Sequence, residues 1–124
     1  MIYVSNTVVY MDLVIFGNEL RHKGENDISL YTRLYSIPSK ENFYSDKLHK
    51  AFNSFNNSHQ KILFFSHIVN DSILCAELFH HKGKLNEFKY ERIAWQNESY
   101  LYLFIFDQNK NIKNVHRKNM LYSF

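Results

Sequence analysis

The sequence predicts an α+β fold: an antiparallel sheet of about five to seven strands with one main helix, about residues 39–56, packed on one face. Three observations predict it. Tyr44, Leu48, Ala51, Phe52 and Phe55 recur at helical spacing and form one apolar stripe. Two short runs, 61–69 and 100–106, are apolar almost throughout, as expected of strands covered on both faces. Short polar clusters such as Asn70-Asp71-Ser72 and Gln96-Asn97-Glu98-Ser99 punctuate the apolar runs and read as turns.

Taken in order, residues 3–16 are β-branched and aromatic and read as a first strand, closed by Gly17-Asn18. Residues 18–27 are polar and read as a loop. Residues 28–37 alternate, with Leu30, Thr32 and Leu34 against Tyr31, Arg33 and Tyr35, which predicts a second strand with one wetter face. Pro38 changes the structure: Ser39 can cap the helix and Glu41 places negative charge in its first turn. Asn56-Asn57-Ser58 stops it. The run 61–69 is the first central strand and 73–79 the next, followed by a Gly-containing hairpin loop at His80-His81-Lys82-Gly83-Lys84. Residues 85–95 alternate again, with Phe88 and Tyr90 against Lys89 and Glu91. The second central strand, 100–106, leads through the polar turn 107–111 to a final edge strand or short helix at 112–124.

The 124 residues fit a single domain, 1–124. With 45% hydrophobic and 17% aromatic residues, the chain can bury a core without disulfides or structural metal. The one cysteine, Cys75, lies between Leu74 and Ala76 and reads as a small buried hydrophobe. The first six residues lack a basic region ahead of an apolar core, and no apolar stretch approaches the roughly 18–20 residues that span a bilayer, so a cytoplasmic protein is expected. The formal net charge is +3, but most cations are dispersed among 12 acidic residues. The densest basic segment is Lys110, Lys113, Arg117 and Lys118, which reads either as a solvated terminal strand or as a contact for an acidic partner or phosphate.

Constellations for chemistry are sparse. Adjacent His80 and His81 would point to opposite faces of a strand, and no further His or Cys lies nearby at ligand spacing. Glu77, inside an apolar strand, has three readings: facing water, paired with Arg92 on a neighbouring strand, or a buried catalytic acid. Three glycines make neither a dinucleotide nor a P-loop motif, and no serine sits in a nucleophile elbow. No catalytic residue, metal or cofactor is therefore expected. Tyr31, Tyr35, Tyr100 and Tyr102 could stack bases of single-stranded nucleic acid or cover the helix-facing side of the sheet.

The stretch from Glu41-Asn42-Phe43-Tyr44 through Leu48, Phe52 and Phe55 to Ile62-Leu63-Phe64-Phe65, with Arg92-Ile93-Ala94-Trp95-Gln96-Asn97 beyond it, resembles immunity proteins of bacterial contact-dependent growth inhibition and related polymorphic toxin systems. The resemblance covers about half the chain. It implies a cytoplasmic protein that binds a cognate toxin domain and blocks its active site or substrate approach, with no catalytic residues of its own. Such recognition works through shape and charge across roughly 1,200–2,000 Å². Immunity proteins against basic nucleases are often acidic, whereas this chain is basic. The difference points to an acidic toxin surface or to local acidic residues such as Glu87, Glu91 and Glu98. On polarity, the expected contact residues are His80, His81, Lys82, Lys84, Glu87, Glu98, Lys110, Lys113 and Arg117. The alternative expectation is a small nucleic-acid-binding protein of bacterial or phage origin.

Overall fold

The structure, a computed structural model, describes residues 2–9, 11, 13–34, 60–81, 90–94 and 98–120. The helix expected at 39–56 lies outside them. The described residues form an α+β domain dominated by a five-stranded sheet in the order β1-β2-β3-β4-β5. The strands are β1 (Ile2–Val9), β2 (Gln60–Ser66), β3 (Ile73–His81), β4 (Ser99–Phe106) and β5 (Ile112–Met120). Three short helices, α1 (Gly17–Leu20), α2 (Asp27–Leu34) and α3 (Tyr90–Ala94), accompany it. No described helix is long and apolar enough to cross a membrane.

The strands β2 to β5 form an antiparallel meander, with 73–81 pairing directly with 99–106. β1 differs: it pairs with β2 in parallel, so the sheet is mixed. Parallel neighbours need a crossover, and part of it is the segment 13–34, which had been expected to hold strands. The expected strand 3–16 ends at Val9, and Leu13–Phe16 form a 3-10 turn leading into α1. The reason is visible in the spacing: Leu13, Phe16, Gly17 and Leu20 fall at i, i+3, i+4 and i+7, and all four are buried.

Residues 28–37 are likewise not a strand; α2 occupies Asp27–Leu34. Leu30 and Leu34, its two buried residues, are four apart and satisfy both a strand and a helix period. Capping breaks the tie: Asn26 Oδ1 accepts from the Ser29 backbone N–H at 2.8 Å, and Asp27 sits in the first turn. Within 85–95, the described residues Tyr90–Ala94 are helical rather than extended. Tyr90, Ile93 and Ala94 are spaced to pack on one side, and all three join the core.

Two apolar clusters flank the sheet. On the helix-bearing face, Ile62 and Phe64 of β2, Cys75 and Phe79 of β3, and Leu101 and Leu103 of β4 meet Leu13, Phe16, Leu20, Leu30, Leu34 and Ile93. On the opposite face, Leu63, Phe65, Leu74, Ala76, Leu78, Phe104 and Phe106 pack with Ile2. Alternation therefore sends successive residues of β2 and β3 into two different cores, which explains why these strands read as continuously apolar. Full burial of each large apolar side chain is worth roughly 1.5–3 kcal/mol.

Candidate functional site

β5 is the described strand where the sheet meets solvent. It ends the strand order and its residues are mostly exposed. The turn before it is built by Asp107, whose Oδ1 accepts from the Asn109 and Asn111 N–H groups at 2.8 and 3.0 Å. Lys110 takes a left-handed φ of 65° there and donates its N–H to the Asp107 carbonyl at 3.0 Å. The β4–β5 register then slips between Ile105–Asn114 and Phe106–Ile112, so Lys113 is the extra residue of a bulge.

The two faces of β5 do different jobs. Lys118, opposite Leu101, lies on the helix-bearing face. Its ammonium pairs with Glu19 Oε1 at 3.2 Å, donates to the Ile15 carbonyl at 2.6 Å and sits 5.4 Å from the Phe16 ring centroid. It ties the strand to the segment before α1. Val115 and Arg117, opposite Phe104 and Tyr102, lie on the other face. There the Arg117 guanidinium rests 5.1 Å from the Tyr100 ring centroid, and the Tyr102 and Phe104 rings stack at 6.1 Å. Tyr100 is 42% and Val115 52% exposed, so this aromatic and cationic strip faces solvent. An exposed guanidinium on an aromatic ring holds both side chains in place at a worth of about 0.5–1 kcal/mol.

At its first end β5 borders a cleft of about 440 Å³ whose wall includes Glu19, Arg21, His22, Arg33, Lys113 and Asn114. Its arginines are occupied. Arg21 pairs with Asp27 at 2.6 Å and donates to the Glu25 carbonyl at 2.9 Å. Arg33 grips Glu25 through two bonds, at 2.8 and 3.1 Å, and donates to the Leu20 carbonyl at 2.5 Å. The Arg33 guanidinium, helped by the His22 backbone N–H, holds the Glu25 carboxyl down at about 2. These bonds fix the cleft wall and leave Lys113, which makes no ion pair among the described residues, as its unspent charge.

The expected contact residues separate into two groups. Lys110, Lys113 and Arg117 lie on the β4–β5 hairpin. His80 and Glu98 are exposed at the other end of the sheet, because Phe79 pairs with Ser99 and each lies one residue further. His81 ends β3, paired with Gln60. Eight residues of β4 separate the two ends, about 25 Å at strand rise. Lys82, Lys84 and Glu87 lie outside the described residues. The missed element of the exposed site is Val115, while Tyr100, read as either a stacking platform or sheet cover, is 42% exposed. Alternation in β5 against β4 was the available signal, but it became usable only once the register was known.

Glu77 is neither water-facing nor on a strand beside Arg92, which belongs to α3. It is 1% exposed and accepts hydrogen bonds from the hydroxyls of Tyr90 and Ser99. Tyr90 also packs edge-on against Phe64 and Phe79, at 5.3 and 5.8 Å, so one side chain docks α3 by its ring and its hydroxyl. The arrangement fastens α3, β3 and β4 together. Burial, with Glu77 nearby, pushes the Cys75 thiol well above its ordinary range, which makes it a poor nucleophile. Among the described residues, no group of three His, Cys, Asp or Glu side chains could hold a metal ion. Tyr31 is exposed on α2, away from the Tyr100–Tyr102 strip, and Tyr35 lies outside the described residues.

Fold and surface together define a sheet-dominated α+β domain with an exposed, basic edge strand. No protein-family model, no curated protein and no solved structure matches the chain.

Proposed function

We propose that this protein is an immunity protein: it binds a cognate bacterial toxin domain in the cytoplasm and neutralises it by covering the toxin's working surface. The observation that carries the reading is the outer strip of the β4–β5 hairpin, where Tyr100, Val115 and Arg117 are exposed beside one another. Tyrosine and arginine dominate the energetics of protein interfaces, and an arginine already seated on a ring loses little freedom on binding. The resemblance of 41–65 and 92–97 to immunity proteins supplies the kind of partner. The basic charge of the strip favours a toxin that presents carboxylates.

The test is co-expression with the toxin domain encoded by the neighbouring gene. Survival of the cells, with one-to-one complex formation by the purified proteins, is the expected result. Cell death despite soluble expression of this chain overturns the reading for that pair. A second reading, binding of single-stranded nucleic acid, is favoured by the Arg117–Tyr100 contact beside the Tyr102–Phe104 stack. Oligonucleotide affinity that grows with strand length and collapses with salt would select it.

A further inference from the structure

The β5 surface offers a backbone edge as well as side chains. β5 hydrogen-bonds to β4 alone among the described strands, so every second N–H and C=O along it points away from the sheet. Its nine residues include Lys113, His116, Arg117 and Lys118 and no acidic residue. Lys118 is engaged by Glu19 and the Ile15 carbonyl. Lys113 and Arg117 are exposed and make no ion pair among the described residues.

We propose that β5 is the docking edge for an acidic, extended segment of the partner protein, which adds to the sheet alongside β5 and sets its carboxylates near Lys113 and Arg117. Main-chain bonds then supply the grip, and the two cations supply register and choice of partner. A second copy of this chain is the poorer occupant. It would bring the Lys113 and Arg117 pair of one edge against the same pair of the other, and charged residues on an edge strand guard against such self-pairing. The proposal rests on the reading of the protein as a toxin-binding inhibitor and specifies the contact that inhibitor uses.

The test is residue-resolved amide exchange on the full, isotopically labelled chain. The probe is a capped peptide as long as β5, with glutamate alternating with valine and threonine. Alternate β5 amides, fast-exchanging in the free protein, should slow when the peptide is added, while those bonded to β4 change little. A proline at the peptide's centre, or lysine in place of its glutamates, should weaken binding about tenfold or more. The double variant Lys113→Glu, Arg117→Glu should reverse the preference between the glutamate and lysine peptides while keeping the β4–β5 amide protection that reports an intact hairpin.

Four results overturn the proposal: no saturable binding at millimolar peptide, protection mapped away from β5, equal binding of the two peptides, or protection of the same β5 amides by raised protein concentration alone. The two readings fail separately. A chain that docks the acidic peptide on β5 but leaves the neighbouring toxin active sinks the inhibitor reading only. Full neutralisation by the double variant, with toxin-induced protection elsewhere, sinks the edge only.

Discussion

β3 and β5 are both nine residues long and both pair with β4, one on each side, yet residues 73–79 of β3 are all buried while most of β5 is exposed. Sharing a neighbour therefore does not decide a strand's environment. β3 has β2 on its other flank and an apolar cluster on each face; β5 has no described strand on its outer flank. Composition follows position: residues 73–79 of β3 are Ile, Leu, Cys, Ala and Phe around the single Glu77, whereas Lys, Asn, His and Arg make up six of the nine residues of β5. The difference divides the sheet: β3 is committed to the core, and β5 is left free of that constraint, which is what the proposed recognition role requires.

Truncation of a buried ring on β3 should break the fold most severely. Phe79 is fully buried and packs edge-on against Phe64 and Tyr90 at 6.0 and 5.8 Å. Phe79→Ala should cost about 3–5 kcal/mol of unfolding free energy in urea titration. A loss below about 1 kcal/mol would place Phe79 outside the stabilising core.

The one charged residue of β3 gives the next effect. Glu77→Ala removes the acceptor shared by the half-buried Tyr90 hydroxyl and the buried Ser99 hydroxyl, at a cost of about 2–3 kcal/mol. Adding Tyr90→Phe and Ser99→Ala should recover part of that loss, because the hydroxyls that lost their shared acceptor are then gone. Equal stability of the single and triple variants in urea would show that the hydroxyls are not dependent on Glu77.

These two strands also show what the sequence discloses. The continuous apolar runs of β2, β3 and β4 were legible because burial on both faces needs no register to be recognised. The segments 13–20 and 27–34 were not, because short apolar patterns such as Leu30 and Leu34 fit two periods, and the Asn26 cap decides between them. The parallel seating of β1 on β2 has no local signature at all, since it is fixed by contacts some 60 residues apart. At the candidate site, Lys110, Lys113 and Arg117 were legible as a charge cluster. Of their apolar companions, Tyr100 was legible only as one of two readings, platform or sheet cover, and Val115 was not legible as a contact, because the cross-strand partners that decide both are not local in sequence.

The β4–β5 turn allows the comparison to be sharpened from the other side, by a gain. Lys110 holds a φ of 65° that glycine adopts without steric cost. Lys110→Gly should stabilise the protein by about 0.5–1 kcal/mol in urea, the relief being larger than the added freedom of the unfolded chain. An unchanged or lowered midpoint would mean that the lysine side chain contributes as much as its backbone costs.

Beside β5, the Glu25–Arg33 pair in the cleft wall keeps its carboxylate charged until the solution is strongly acid. Glu25 titrates at about 2 against an ordinary 4.5, so its contribution to stability is complete above about 4.5 and is lost as pH falls through about 2. Thermal midpoints measured from pH 5 to pH 2 should therefore fall more steeply for the natural chain than for Glu25→Gln. Parallel curves would show that Arg33 does not hold the carboxylate in solution.

The smallest effect on stability is the one that decides the comparison. Val115 is more than half exposed, and Arg117 is exposed with its guanidinium over the Tyr100 ring. Val115→Ala and Arg117→Ala should each leave the unfolding free energy within about 0.5 kcal/mol, apart from the modest cation–π contribution of Arg117. If β5 exists for recognition, the same two changes must act on binding instead. Arg117→Ala should then weaken the toxin complex at least tenfold, about 1.4 kcal/mol, chiefly through faster dissociation in surface-binding kinetics. Val115→Ala should weaken it less, because it removes area but no charge or hydrogen bond. A variant that keeps both its stability and its affinity would make β5 an ordinary solvated edge, and the contrast with β3 would then be one of exposure alone.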